Sequence, residues 1–268
     1  MPSDVVSRLE LPTVTLCAAT STNVDATVAA IASSSEQVSF GDVLLLTDSA
    51  AVESLPGGRI ERIAPLRSAR DYSQFMLGQL ADHVRTDHCL VIQWDGFVID
   101  PQQWDERFLT YDYVGAPWPQ FSDGHDVGNG GFSLRSRKLL EACRSPGFAR
   151  LHPEDVAIGR VNRAFLEREH GIVFADTGTA ARFAFERSAP RGPTFGFHGV
   201  FNMIPLLGAD RFWRLYQGLD DPSTVFHDYR LLMRQLGFGK GAARRRLELS
   251  LDLIRSRLRP RPAISRRP

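Results

Sequence analysis

Residues 90–137 read LVIQWDGFVIDPQQWDERFLTYDYVGAPWPQFSDGHDVGNGGFSLRSR, and how this stretch begins and ends decides the fold. An apolar run, LVIQW, stops at Asp95-Gly96, and the glycine turn Gly128–Gly131 (GNGG) feeds a second run at Phe132–Arg135. Short continuous apolar runs bounded by turns read as strands buried on both faces. A carboxylate at the mouth of such a strand is costly unless something uses it, so Asp95 marks a place where chemistry is expected. Three of the four tryptophans, Trp94, Trp104 and Trp118, also fall here.

Upstream, the same signature repeats. Val14–Ala19 (VTLCAA) ends in Thr20-Ser21-Thr22, and Asn23 is placed to cap a helix with Val24, Thr27, Val28 and Ile31 at helical spacing. Val43–Leu46 (VLLL) closes on Thr47-Asp48-Ser49, Pro56-Gly57-Gly58 turns the chain, and Ile60–Ala64 is a short third strand. Asp71 opens a helix with Phe75, Met76, Leu80 and Val84 on one face, leading to a strand at Cys89–Gln93. The alternation predicts an α/β protein with a single, mostly parallel, twisted sheet flanked by helices. Ligands of such sheets bind beyond the carboxyl ends of the strands, where Thr20, Asp48 and Asp95 emerge. Downstream, the spacing predicts a helix from about Pro153 to Arg168 and short strands at Ile172–Phe174 and Thr194–Phe197.

Composition frames this reading. A chain of 268 residues, 43% hydrophobic, can bury one substantial core. From Lys240 onward ten basic residues face only Glu248 and Asp252, so the tail carries +8 and leaves −7 for the body of a chain whose net charge is +1. Expected divisions are a leader (1–11), the main domain (12–202), a helical extension (203–239) and a basic amphipathic or disordered tail (240–268). Within the tail, Leu247, Leu251, Ile254 and Leu258 share a helical face among arginines. That suits a peripheral helix on an anionic membrane, and equally a solvated basic end; nucleic acid is disfavoured because no aromatics interleave. Cys17, Cys89 and Cys143 sit apart among apolar neighbours, as buried thiols of a reducing compartment do. With no apolar run near 20 residues and no signal-like start, a cytoplasmic protein is expected, peripheral at the inner membrane face if the tail binds lipid.

Several residues carry two readings. Asp95 is a hard oxygen donor for a divalent cation bridging two phosphates, or the cap of the Asp-Gly turn. His198, in FGFHG, is a ligand arriving from a distant segment, or a satisfied core histidine. Glu154 and Asp155, in HPEDV, supply a general base, or acids favoured by the dipole of a helix start. GNGG lacks the Lys-Ser/Thr of a P-loop and the spacing of a dinucleotide fold, which leaves close backbone approach as its use. Trp118 is core or a flat apolar face for a sugar. No GxSxG elbow, HExxH pair or zinc-type cysteine pattern occurs, which excludes the commonest hydrolases.

Taken together, QWDGFV (93–98), WDERFLTYDYVGAPWP (104–119), VGNGGFSLRSRKLL (127–140), HPEDV (152–156) and TFGFHGVFN (194–202) resemble a bacterial family classed as a domain of unknown function. That family is regarded as glycosyltransferase-like, with the type-A nucleotide-diphospho-sugar transferase fold, and the resemblance runs from about Leu11 to Asn202. It implies transfer of a sugar from a nucleotide-sugar to a hydroxyl of a glycan or lipid-linked acceptor, as in cell-surface polysaccharide or glycoconjugate synthesis. By similarity to type-A enzymes, Gln93 and Asp95 stand where an Asp-x-Asp motif binds Mn²⁺ or Mg²⁺ and the donor diphosphate, with glutamine in place of the first acid. The same similarity gives Thr20 and Asp48 to the nucleoside, His198 to the metal, Trp118, Gly130 and Gly131 to the acceptor side, and Asp155 or Glu154 to the base of an inverting reaction. A nucleotidyltransferase and a non-catalytic carbohydrate-binding protein are the alternatives.

Overall fold

The computed structural model describes residues 8–237 and 239–258. Residues 1–7 of the expected leader, residue 238, and the tail from 259 onward lie outside the described residues. The contacts divide the chain into two units, one ending at Gly199 and the other starting at Val200.

The first unit is built on β1 (Leu9–Ala19), β2 (Val38–Thr47), β3 (Arg59–Arg62) and β4 (His88–Ile92), with α1 (Val24–Gln37), α2 (Ala69–Gly78) and α3 (Leu80–His83) as crossovers. β1 pairs with β2 and β4, and β2 with β3, all parallel. Alternate residues explain why the runs are apolar throughout. Cys17, Ala19, Leu44, Leu46, Cys89 and Val91 pack against Phe75, Met76 and Leu80 of the α2–α3 side. Leu16, Ala18, Leu45 and Leu90 point the other way and are equally buried, on the face where α1 packs on β1 and β2. The three cysteines are free and buried, and burial pushes the Cys89 and Cys143 thiols up to about 12.

The expected mostly parallel sheet is corrected to a mixed one. After β4 come the short strands β5 (Tyr113–Val114), β6 (Ala116–Pro117) and β7 (Val127–Gly128), then β8 (Phe132–Ser136). The six-stranded order is β3-β2-β1-β4-β8-β5, with β8 antiparallel to both neighbours. No helical crossover separates β4 from β8; the chain turns back through the 93–131 segment and so re-enters the sheet in the opposite direction.

Beyond β8 lie α4 (Arg137–Ala142), α5 (Glu154–Val156), α6 (Arg163–His170), α7 (Thr177–Phe183), β9 (Ala184–Phe185) and β10 (Gly196–Phe197). The single helix expected over 153–168 is broken into α5, a π-turn at Ala157–Val161, and α6. Asn162 holds the break, its amide donating to the carbonyls of Ala149 and Ala157 at 2.9 Å each. Ile172–Phe174 contributes only an isolated bridge, Tyr113 to Phe174, and Asn23 occupies its helix start in the left-handed region without a side-chain cap bond. The second unit holds α8 (Val200–Leu207), α9 (Ala209–Gln217), α10 (Tyr229–Gln235) and α11 (Ala242–Leu258). No helix of the described residues is long and apolar enough to cross a membrane.

Candidate functional site

Three parallel strands end side by side, and their carboxyl ends supply the first set of residues. Thr20 follows β1 and donates its N–H to Leu46 O at 2.9 Å, while its hydroxyl pairs with the backbone of Thr22. Asp48 follows β2 and is exposed. An open depression of about 490 Å³ is lined by Asp25 and Val28 of α1 and by Ala51, Val52, Glu53 and Ser54, without Thr20 or Asp48 in its lining. Gln93 and Asp95 follow β4 in a tight turn closed by Gly96 N–H to Gln93 O at 3.1 Å.

Two bonds tie this turn to the later segment: Ile99 N–H donates to Phe195 O at 2.9 Å, and Gly199 N–H to Asp95 O at 3.0 Å. His198 is thereby laid beside Asp95, with Nε2 3.5 Å from Asp95 Oδ1 and 3.3 Å from Gln93 Oε1. Its Nδ1 meets Glu186 Oε1 at 3.2 Å. Burial alone would push the imidazole down, but Asp95, and then Glu186, more than reverse this and leave its pKa at about 10. The ring is therefore an imidazolium held between two carboxylates at neutral pH. We expect both Asp95→Asn and Glu186→Gln to lower the His198 pKa, Asp95→Asn by more, in an NMR titration of the imidazole. An unchanged pKa in both would contradict the clamp.

The GNGG turn separates this cluster from the acid pair. Asn129 adopts φ 78°, and its Oδ1 accepts from Gly131 N–H at 3.1 Å. A Cβ on Gly130 would lie 2.1 Å from Glu154 Oε1, and one on Gly131 would lie 2.1 Å from His198 Nε2. Consecutive glycines thus admit a carboxylate at one position and an imidazole at the next. Trp118 is 6% exposed, its ring lying so close to Gly128 that a Cβ there would sit 1.8 Å away. It presents no open ring face for stacking and supports the turn from behind.

Burial distinguishes the two acids, which sequence alone could not. Glu154 is 5% exposed and points inward, its Oε2 accepting from Ser73 Oγ at 3.2 Å and its Oε1 pairing with Arg135 Nη2 at 3.4 Å. Arg135 is fully buried on β8 and also donates to Gly130 O at 3.2 Å and Ser133 Oγ at 3.0 Å. Asp155 is half-buried; its Oδ1 accepts from Val156 N–H at 2.8 Å and its Oδ2 from Gly130 N–H at 3.3 Å. Burial first, and the neighbouring Glu154 charge second, raise its pKa above the ordinary carboxylate value. Each oxygen keeps a lone pair for a further donor. Asn129 Nδ2 and Arg135 Nη1 are buried donors without an acceptor among the described residues.

Gln93, Asp95, Gly130, Gly131, Glu154, Asp155 and His198 are therefore joined by direct contacts, whereas Thr20 and Asp48 share only the sheet edge. Arg135, Ser73 and Glu186 belong to the cluster and were not anticipated. A charge inside the apolar run FSLRS signalled Arg135; nothing local signals Glu186. As for a metal, no group of three or more His, Cys, Asp or Glu side chains is placed to hold a metal ion among the described residues, Glu186 meeting His198 on the opposite ring nitrogen from Asp95. Asp95 Oδ1 is a hard oxygen donor and His198 Nε2 a borderline nitrogen donor, so the two could ligate Mn²⁺ more readily than Mg²⁺, provided a diphosphate supplies the remaining oxygens and the imidazole gives up its proton.

The fold and site define a mixed α/β protein with a carboxylate–imidazole cluster and a pair of acids, one buried and one half-buried, on either side of a glycine turn, beyond the carboxyl edge of its sheet. The chain belongs to the family described as "Protein of unknown function (DUF5672)", which matches residues 59–198, just over half of its 268 residues. Curated proteins gave no match. Among solved structures, the chain is similar to the apo-form glycosyltransferase GlyE of Streptococcus pneumoniae TIGR4, with 12% identity and a TM-score of 0.42. That match covers 83% of this chain and 63% of GlyE, so the chain spans less than two thirds of GlyE's length. It is also similar to the mannosyltransferase PcManGT of Pyrobaculum calidifontis, described in complex with GDP-Man and Mn²⁺, with 11% identity, a TM-score of 0.41, and coverage of 96% and 77%.

Proposed function

We propose that this protein is a glycosyltransferase that moves a sugar from a nucleotide-diphospho-sugar to a hydroxyl of a glycan or lipid-linked acceptor, with inversion. One observation carries the reading: the adjacent glycines Gly130 and Gly131 separate a raised-pKa carboxylate, Asp155, from the Asp95–His198 pair. An inverting displacement needs a base on one side of the anomeric carbon and charge stabilisation on the other. Asp155 takes the proton of the acceptor hydroxyl as its oxygen attacks, and the bond from the anomeric carbon to the diphosphate breaks on the far side. Gly130 and Gly131 let the acceptor approach the backbone. The buried donors Asn129 Nδ2 and Arg135 Nη1 lie behind the turn, out of reach of a substrate, where an ordered water can serve them.

Asp95 and His198, with Gln93 beside them, face the donor. A divalent cation held by Asp95 and His198 would offset the charge that builds on the leaving diphosphate. Thr20, Asp48 and the depression between α1 and residues 51–54 accommodate the nucleoside, the two acids Asp25 and Glu53 suiting ribose hydroxyls or base amino groups.

The test is turnover of a panel of nucleotide-sugars with Mn²⁺ and product analysis. The expected products are a nucleoside diphosphate and a glycosylated acceptor, or free sugar by slow hydrolysis. Pyrophosphate release from a nucleoside triphosphate would instead identify a nucleotidyltransferase. Glycan binding that survives loss of both Asp95 and Asp155, with no donor consumed, would identify a binding protein.

A further inference from the structure

Helix α11 is held to its own unit along one side. Leu249 is fully buried, Asp252 accepts from Tyr216 Oη at 2.9 Å, Ser250 Oγ pairs with Tyr229 Oη at 2.7 Å, and Arg245 forms an ion pair with Asp210. These contacts fix the rotation of the helix about its axis. They turn Leu247, Leu251, Ile254 and Leu258 outward, at 60%, 39%, 52% and 76% exposure. Steps of four, three and four residues put all four in one narrow stripe at about 100° per residue. By the same rotation Arg244 and Arg255 border the stripe on one side, and Arg246 and Arg257 lie farther round on the other, past Ser250, all four of them exposed. Beyond the helix the sequence continues with Arg259, Arg261, Arg266 and Arg267.

An apolar stripe flanked by arginines, with a net positive charge on one side, fits few partners. A second copy packed stripe to stripe would set arginine rows against arginine rows. A nucleic acid would engage the arginines and leave the leucines in water. A bilayer rich in anionic lipid satisfies both features. The stripe enters the headgroup–acyl boundary, and the guanidinium groups sit at the phosphates with their alkyl stems along the apolar edge. Glu248 and Asp252 pair with Arg244 at 2.6 Å and Arg255 at 3.0 Å and offset the charge of that row, so the net positive charge beside the stripe rests on Arg246 and Arg257. We infer that α11 is an interfacial helix that docks the protein on an anionic lipid surface, lying in its plane. This inference is independent of the chemistry at the first unit.

The full chain is to be sedimented with vesicles of phosphatidylcholine alone and with added phosphatidylglycerol. Binding is expected only with the anionic vesicles, and it weakens as salt rises. Leu251→Asp with Ile254→Asp is expected to weaken it at least about tenfold with an unchanged circular dichroism spectrum. Arg246→Glu with Arg257→Glu is expected to weaken it by about fivefold or more per residue. Absence of vesicle binding by the wild type, or undiminished binding by the leucine–isoleucine variant, overturns the inference. So does a solution dimer that the same variant dissolves, or nucleic-acid binding without vesicle binding.

Discussion

Asp155→Asn is expected to reduce sugar transfer by about a hundredfold to ten-thousandfold while donor binding and thermal stability stay near those of the wild type. The amide keeps one oxygen to accept from Val156 N–H, at 2.8 Å in the native structure, and gives up only the longer bond from Gly130 N–H, at 3.3 Å, while the basic lone pair is lost. The loss should fall on kcat rather than KM, because the proton moves only as the acceptor attacks. Wild-type kcat/KM should also carry an acidic limb. Asp155 works as a base only when ionised, and burial, then the Glu154 charge, raise its pKa above the ordinary value of about 3.9. The rate therefore falls as pH drops through that raised value. Glu154→Gln removes the like charge and should move the limb to lower pH, with apparent values that belong to the pair. A limb that stays in place would mean that another group titrates.

Arg135→Met is expected to destabilise the protein by about 3–5 kcal/mol in urea unfolding, because it leaves the buried Glu154 carboxylate without its counter-charge, with Ser73 Oγ as its remaining donor, and removes the guanidinium bond to the Gly130 carbonyl. Adding Glu154→Gln should restore much of that loss, since the uncompensated charge is then gone. A cost below about 1 kcal/mol for Arg135→Met alone would show that the pair does not brace the turn. The two variants address different properties: Asp155 is argued to act on the acceptor, whereas Arg135 holds the turn that places Asp155 and never meets the reacting atoms.

Comparison with the sequence shows what patterning can carry. β1, β2 and β4 are legible because both of their faces are buried, which leaves VTLCAA, VLLL and CLVI apolar but for the buried Thr15. The start of β1 at Leu9 is not, because Glu10, Pro12 and Thr13 are exposed and join the sheet only through the β2 backbone, across an irregular register at Leu11–Thr15. The direction of β8 is equally hidden: period two states that a residue faces the core, and says nothing of which way the strand runs. The break between α5 and α6 rests on tertiary contacts, with Gly159 lying under Trp118 and Asn162 serving two carbonyls, while the apolar spacing passes through it unchanged.

The site follows the same division. Asp95, His198 and the acid pair stood out as chemical groups in unusual settings, and the family resemblance named them together. Which acid faces inward was not legible, because Glu154 and Asp155 are neighbours in one motif and only buried Arg135 separates their environments. Glu186 was invisible, since its tie to His198 depends on β9 and β10 pairing side by side.

The most direct test of the central claim is binding of nucleoside diphosphates with Mn²⁺, followed by calorimetry and thermal shift on the wild type and Asp95→Ala. At least one diphosphate is expected to bind and stabilise the wild type, with the ligand-induced rise in melting temperature largely lost in Asp95→Ala, each protein being compared with its own unliganded state. No binding of any nucleoside diphosphate, with or without metal, would contradict the account.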